Sequence, residues 1–279
     1  MKIEEDKQIL DQTAPKEESL DDSTKRVTEF KSNRLFFILG GFFLANAFIA
    51  EFIGVKIFSL EGSLGIAPLG LDPMGGDGPL NFTAGVLLWP VVFIMTDVIN
   101  EYFGVSGVRF LSVLAASLIA YAFVMIFAAI GLAPADWWVE GYTNKGIPDM
   151  QAAFRGVFGQ GMWIIVGSLV AFLVGQIVDA IVFRGVKKQT GNNRIWIRAT
   201  VSTMVSQLID SYLVLYIAFV LGADWSMEML FSIGTANYIY KVLVAILFIP
   251  ILYFIHNLID RYLGEDVSNE LKELALNKN

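Results

Sequence analysis

NFTAGVLLWPVVFIMTDVINEYFG, residues 81–104, is long and apolar enough to cross a bilayer, yet it holds Asp97 and Glu101 four residues apart. A carboxylate at the bilayer centre costs roughly 2.5–3.5 kcal/mol on insertion scales, so such groups persist where they face a protein interior or a polar path. Lys56, Asp179, Asp210 and Lys241 interrupt other apolar stretches in the same way. Polar groups recurring in several spans point to a route for a small solute.

Working outward, the chain is 55% hydrophobic and 17% charged over 279 residues, with 22 phenylalanines. A soluble domain would carry about 25% charge, so the composition is that of a polytopic membrane protein, with no room for a large second domain. The absence of cysteine excludes disulfides and thiolate metal sites, and the single His256 excludes a multi-histidine centre within one chain. No cofactor is implied. A net charge of −7 argues against a nucleic-acid partner, which needs a basic face.

Six apolar windows predict an all-α protein of six transmembrane helices, near 35–57, 82–104, 107–132, 161–184, 198–221 and 229–255. Residues 1–34 mix acids and bases and read as a disordered tail without a signal peptide; 35–256 form the membrane domain; 257–279 are a second tail with an amphipathic stretch. The Gly- and Pro-rich segment after the first span is a loop, and 133–160 is a longer one with Trp137, Trp138 and Tyr142 suited to the headgroup level. Arg184, Lys187, Lys188, Arg194 and Arg198 crowd the connector after the fourth span, whereas only Lys145 and Arg155 lie on the opposite side. Positive charge stays inside, which predicts an inner-membrane protein with both termini cytoplasmic.

At 1.5 Å of rise per residue, Asn46, Asp210 and Lys241 fall near mid-membrane, with Asp97 roughly 6 Å and Asp179 roughly 10 Å toward the cytoplasm. Glu101 is deeper still, and Asn237 precedes Lys241 by one turn on the same face. Gln176-x-x-Asp179 and Gln207-x-x-Asp210 echo each other on antiparallel neighbours, two amide–acid pairs that could face one cavity. Four residues do not establish an inverted three-plus-three repeat. The competing reading is structural: Asp210 and Lys241 as an ion pair between spans, Glu101 and Lys56 reaching the interface from the span ends, and Glu51 open to the same reading. Gly167, Ala171 and Gly175 form a close-packing stripe, compatible with a monomer or a homodimer. Catalysis finds little support. The glycines at 75–78 lack a phosphate-binding lysine, no base stands beside Ser168, and Asp179 and Asp210 lack the motifs of membrane aspartyl proteases.

From Asn46 to Pro250 the chain resembles the queuosine precursor transporter family, earlier filed as a vitamin uptake family. Gly85, Trp89-Pro90, Thr96-Asp97, Asn100-Glu101 and Gly104 match its core signature. Asn46 and Lys56 match its first span; Ser168, Ala171, Gln176 and Asp179 its fourth; Arg198, Ser202, Gln207 and Asp210 its fifth; Lys241 and Pro250 its sixth. Trp89 stands where the family more often has Phe, and the loop 58–81 and both tails are longer than its pattern.

The resemblance implies inward movement of 7-deazaguanines bearing cyano or aminomethyl groups, or of queuine; the sequence shows no ATP-binding element, which leaves transport facilitative, proton-coupled or driven by a partner ATPase. The alternative is the substrate-binding membrane subunit of an ATP-driven vitamin importer. Substrate contacts are expected from Asn46, Trp89, Asp97, Glu101, Gln176, Asp179, Gln207, Asp210, Asn237 and Lys241, with Trp89, Tyr238 or Tyr240 stacking on the flat base. The implied partners are a small-molecule base and the lipids of the membrane.

Overall fold

The computed structural model describes residues 20–70, 78–159, 161–190 and 195–277. Helix α1 spans Leu20–Ile53, so the tail expected to be disordered up to residue 34 is helical from residue 20; its first nineteen residues lie outside the described ones. Two strands not foreseen follow, β1 (Ile57–Ser59) and β2 (Asn81–Thr83), paired antiparallel and flanking a short helix α2 (Leu60–Leu64). The buried carboxylate of Glu61 ties this segment together by accepting the backbone N–H groups of Leu80 (2.9 Å) and Leu69 (3.4 Å). A 3-10 turn, Ala84–Leu87, leads into α3.

Helix α3 is one helical run of 43 residues, Trp89–Gly131, broken at Gly104, whose φ of 71° lies in the left-handed region. Ring contacts with α1 show that the chain reverses there. Phe36, near the start of α1's apolar part, meets both Phe103 (4.9 Å) and Phe110 (6.4 Å), while Phe52 at the other end of α1 stacks on Phe123 (5.4 Å). The first arm therefore descends from Trp89 to Phe103 and the second climbs back. The two arms cover the windows expected at 82–104 and 107–132, joined at Gly104.

The loop after α3 carries a one-turn helix α4 (Asp136–Val139) and α5 (Met150–Phe158), the latter capped by Asp149, which accepts from the N–H of Ala152 at 2.9 Å. Helix α6 covers Met162–Thr190, and α7 runs Ile195–Ala223 with a π-helical stretch at Tyr216–Val220. The small-residue stripe of α6 packs inside the chain. A Cβ at Gly167 would come within 3.1 Å of the α7 backbone at Val214 and Ala218, and one at Gly175 would touch Asp210. Helix α8 (Met227–Leu247) starts at the Ser226 cap.

The predicted sixth span ends early. Pro250 cannot continue the α8 hydrogen-bond ladder, and a separate amphipathic helix α9 (Ile249–Leu263) begins there, running through the expected domain boundary at 256. After Gly264 comes α10 (Glu265–Asn277). Among the described residues, five helices are long and apolar enough to cross a membrane, with α3 counted once. The protein is an all-α polytopic membrane protein, and its core is centred on α1, both arms of α3, and α6.

Candidate functional site

Near the end of the bundle that carries the β-hairpin, α1, the first arm of α3, α6, α7 and α8 enclose a cavity of about 530 Å³, within the range of small-molecule sites. Its wall is mostly apolar and aromatic: Trp89 and Phe172, 5.8 Å apart, on one side, and Phe82 and Tyr240, 4.6 Å apart, toward the hairpin. Phe219 and Trp225 stack at 4.3 Å where the π-helical stretch of α7 passes the cavity. Such a stretch adds a residue to the turn and re-aims side chains, and it is frequent at functional sites.

Six of the ten residues expected to contact substrate line this space: Trp89, Asp97, Gln207, Asp210, Asn237 and Lys241. Asp97 is 4% exposed, and its Oδ1 has no hydrogen-bond partner among the described residues. Gln207 is 1% exposed, and both its Oε1 and Nε2 are unpartnered likewise. Buried amides and carboxylates are seldom left so, and two that border one cavity offer acceptors and a donor for a polar ligand. Lys241 donates to Asp210 at 2.5 Å across α8 and α7, which bears out the ion pair weighed above while leaving both groups on the cavity wall.

The other four expected residues do not line it. Asn46 donates to the Phe42 carbonyl of its own helix (2.8 Å). Gln176 Oε1 accepts from the Thr96 hydroxyl, and Asp179 Oδ1 accepts from the Ser206 hydroxyl at 3.0 Å, so both join helices together. The Gln-x-x-Asp echo is thus split between two uses: the α6 pair holds α6 to α3 and α7, and only the α7 pair meets the cavity. Glu101 is 1% exposed and locked between Arg198 (2.8 Å) and Lys187 (3.2 Å). Arg198 and Lys187, counted above among connector charges, are buried in this cluster beneath the cavity floor.

The signature around Asp97 now has a physical account. Asn100 Nδ2 donates to the Ala180 carbonyl (2.9 Å), so Thr96, Asn100 and Glu101 fasten the arm to α6 and α7 and leave Asp97 facing the cavity. A Cβ at Gly85 would lie 2.7 Å from the Ala50 carbonyl, so glycine lets α1 close on the turn before Trp89. Gly104 reverses the chain, and a Cβ there would meet the Ala275 carbonyl of α10 at 2.6 Å. Sequence reasoning did not place Glu51, Ser168, Thr203 or Phe172 in the site, although all line the cavity. Glu51 was visible as a carboxylate within an apolar helix, but its depth alone did not tell interface from interior.

A helical membrane protein with a polar-floored cavity between its crossing segments has the form of a small-solute transporter. Residues 83–255 match the family described as "Putative vitamin uptake transporter". The match covers more than half of the chain, and the chain belongs to this family. Among curated proteins it is similar to a "Probable queuosine precursor transporter" of Bacillus subtilis (strain 168), 29% identical over 176 residues, covering 62% of this chain and 71% of the relative. A protein of the same name from Haemophilus influenzae is 27% identical over 202 residues, covering 70% and 78%. The "Queuosine precursor transporter" of Escherichia coli (strain K12) is 27% identical over 175 residues, covering 61% and 71%. No solved structure matches significantly.

Proposed function

We propose that the protein imports queuosine precursors, 7-deazaguanine bases, across the inner membrane without a partner ATPase. The observation that carries this reading is the pairing of unpartnered Asp97 and Gln207 groups with flanking aromatic faces in one cavity. A 7-deazaguanine presents adjacent N–H donors on its pyrimidine edge beside an acceptor carbonyl. Asp97 takes the donors, Gln207 serves the carbonyl, and the ring lies against Trp89, Phe172 or Tyr240. Asn237 and the Asp210–Lys241 pair border the same space. The names of the three relatives support the substrate class.

Six crossings, counting the arms of α3 separately, bring both ends of the described chain to one face. With Arg184 and Lys188 on that face, the positive-inside rule puts it in the cytoplasm. The cavity then lies nearer the outer face, and the cluster of Glu101, Arg198 and Lys187 closes the inner one.

Complementation tests the function. In a bacterium unable to make queuosine, lacking its own importer and lacking modular vitamin-importer ATPases, expression with external precursor restores queuosine in tRNA. Failure with well-inserted protein, across cyano, aminomethyl and queuine bases, would overturn the reading.

A further inference from the structure

We infer that Glu51 receives a cationic amine carried by the substrate, so that the site prefers amine-bearing bases to neutral ones of the same ring. This deepens the function proposed above and rests on it. Glu51, on the last turn of α1, is 9% exposed and lines the cavity. Its Oε1 accepts from the Ser168 hydroxyl at 2.5 Å, a neutral partner, and no ion pair reaches it among the described residues. The other charged groups around the space are unevenly matched. Asp210 is neutralised by Lys241, whereas Asp97 borders the cavity with an unpartnered oxygen and has Arg198 nearby, committed to Glu101. Three carboxylates thus line the cavity against one lysine.

Such an imbalance in a site walled by aromatic rings favours a ligand that brings a positive charge. Glu51 and Asp97 are on different helices, α1 and α3, so one ligand can use both. The base edge engages Asp97 and Gln207, and an amine on the five-membered ring points toward Glu51. The ammonium donates to the Glu51 carboxylate while Ser168 holds that carboxylate in place. A charge-assisted hydrogen bond of this kind is stronger than a neutral one, whereas a nitrile carries no donor for it.

The test compares uptake of the aminomethyl and cyano 7-deazaguanines by full-length protein in cells, for the wild type, Glu51→Gln and Ser168→Ala. Glutamine keeps an acceptor for Ser168 and removes only the charge. The expected result is a wild-type preference for the aminomethyl base that falls at least about tenfold in Glu51→Gln, the scale of one lost charge-assisted bond. Cyano uptake stays near wild type and reports intact folding. Ser168→Ala keeps the charge but loses the hydrogen bond that positions it, so a preference for the aminomethyl base survives, smaller than in the wild type and larger than in Glu51→Gln. An unchanged ratio in Glu51→Gln, or equal loss of both bases, overturns the role of Glu51 and leaves the import function standing. Uptake of neither base by the wild type overturns both.

Discussion

Asp97 and Glu101 are one helical turn apart on the same arm of α3, and their surroundings give them opposite roles. Glu101 compensates two buried cations, Arg198 and Lys187. Removing one partner from a buried ion cluster leaves uncompensated charge and typically costs about 3–5 kcal/mol. Glu101→Gln should therefore lower the thermal unfolding temperature in detergent markedly and reduce membrane abundance, with any transport loss following from that. Asp97 has an oxygen without a partner, so Asp97→Asn should unfold near the wild-type temperature yet fail to restore queuosine at equal abundance. If the two variants behaved alike in both assays, the division between a structural and a ligand-facing carboxylate would be wrong. The sequence made both residues conspicuous as charges in an apolar span. It could not separate them, because what distinguishes them is a pair of cations arriving from α6 and α7, some ninety residues downstream.

At the scale of elements, the least legible part is the end of the chain. Its amphipathic pattern was plain, but what it packs against was not, since that depends on the break at Gly104. There α10 lies against α3, with Lys187 donating to the Lys272 carbonyl (3.2 Å) and Arg184 to that of Leu276 (3.2 Å). Asp260 on α9 holds it in place, accepting from Lys272 (2.8 Å), Ser268 (2.5 Å) and Tyr102 (2.7 Å). Partial burial pushes the Asp260 carboxyl up, but the hydrogen bonds from Lys272, Ser268 and Tyr102 outweigh it and hold it below the usual carboxylate range. A depressed carboxylate contributes stability above its unfolded value of about 3.9, and that stability is lost as pH falls through the folded value. The chain has no cysteine, so a spin label at Leu274→Cys, an exposed position of α10, is unique. Its mobility should rise only in strong acid for the wild type and already at neutral pH with Asp260→Asn. A label equally immobile in both backgrounds at neutral pH would show that Asp260 does not retain α10. By contrast, the α3 hairpin was readable in advance, because two apolar runs met at a glycine, which adopts left-handed φ without the steric cost borne by other residues.

For the molecule as a whole, the cavity and its seal determine which face a solute meets first. The cavity's upper residues, among them Asn81, Phe82 and Trp225, come from the hairpin and from the α7–α8 link, while its floor ends at Asp97 above the Glu101 cluster. On the orientation proposed above, the structure corresponds to an outward-facing state, and the proposed delivery to the cytoplasm requires the floor to part. Helix α8 is the element suited to move, since Leu230 and Gly234 are its buried residues, and its polar ties to α7 are Lys241–Asp210 and Tyr212–Thr235 (2.9 Å). Single cysteines make this testable. Asn81→Cys should react with a membrane-impermeant maleimide in intact cells and be protected by a 7-deazaguanine, the substrate proposed above. Glu265→Cys, at the start of α10, should react only after permeabilisation. The reverse pattern would invert the topology and turn the cavity toward the cytoplasm, making the structure inward-facing. Ser202→Cys, on α7 beside Asp97 at the floor and fully buried, separates the two states within one orientation: it should stay unlabelled from either side until substrate is added, and then react from the cytoplasmic side as the floor opens. Labelling of Ser202→Cys from outside without substrate would mean that the floor does not seal, and that the protein conducts its solute through a continuous path rather than by alternating access.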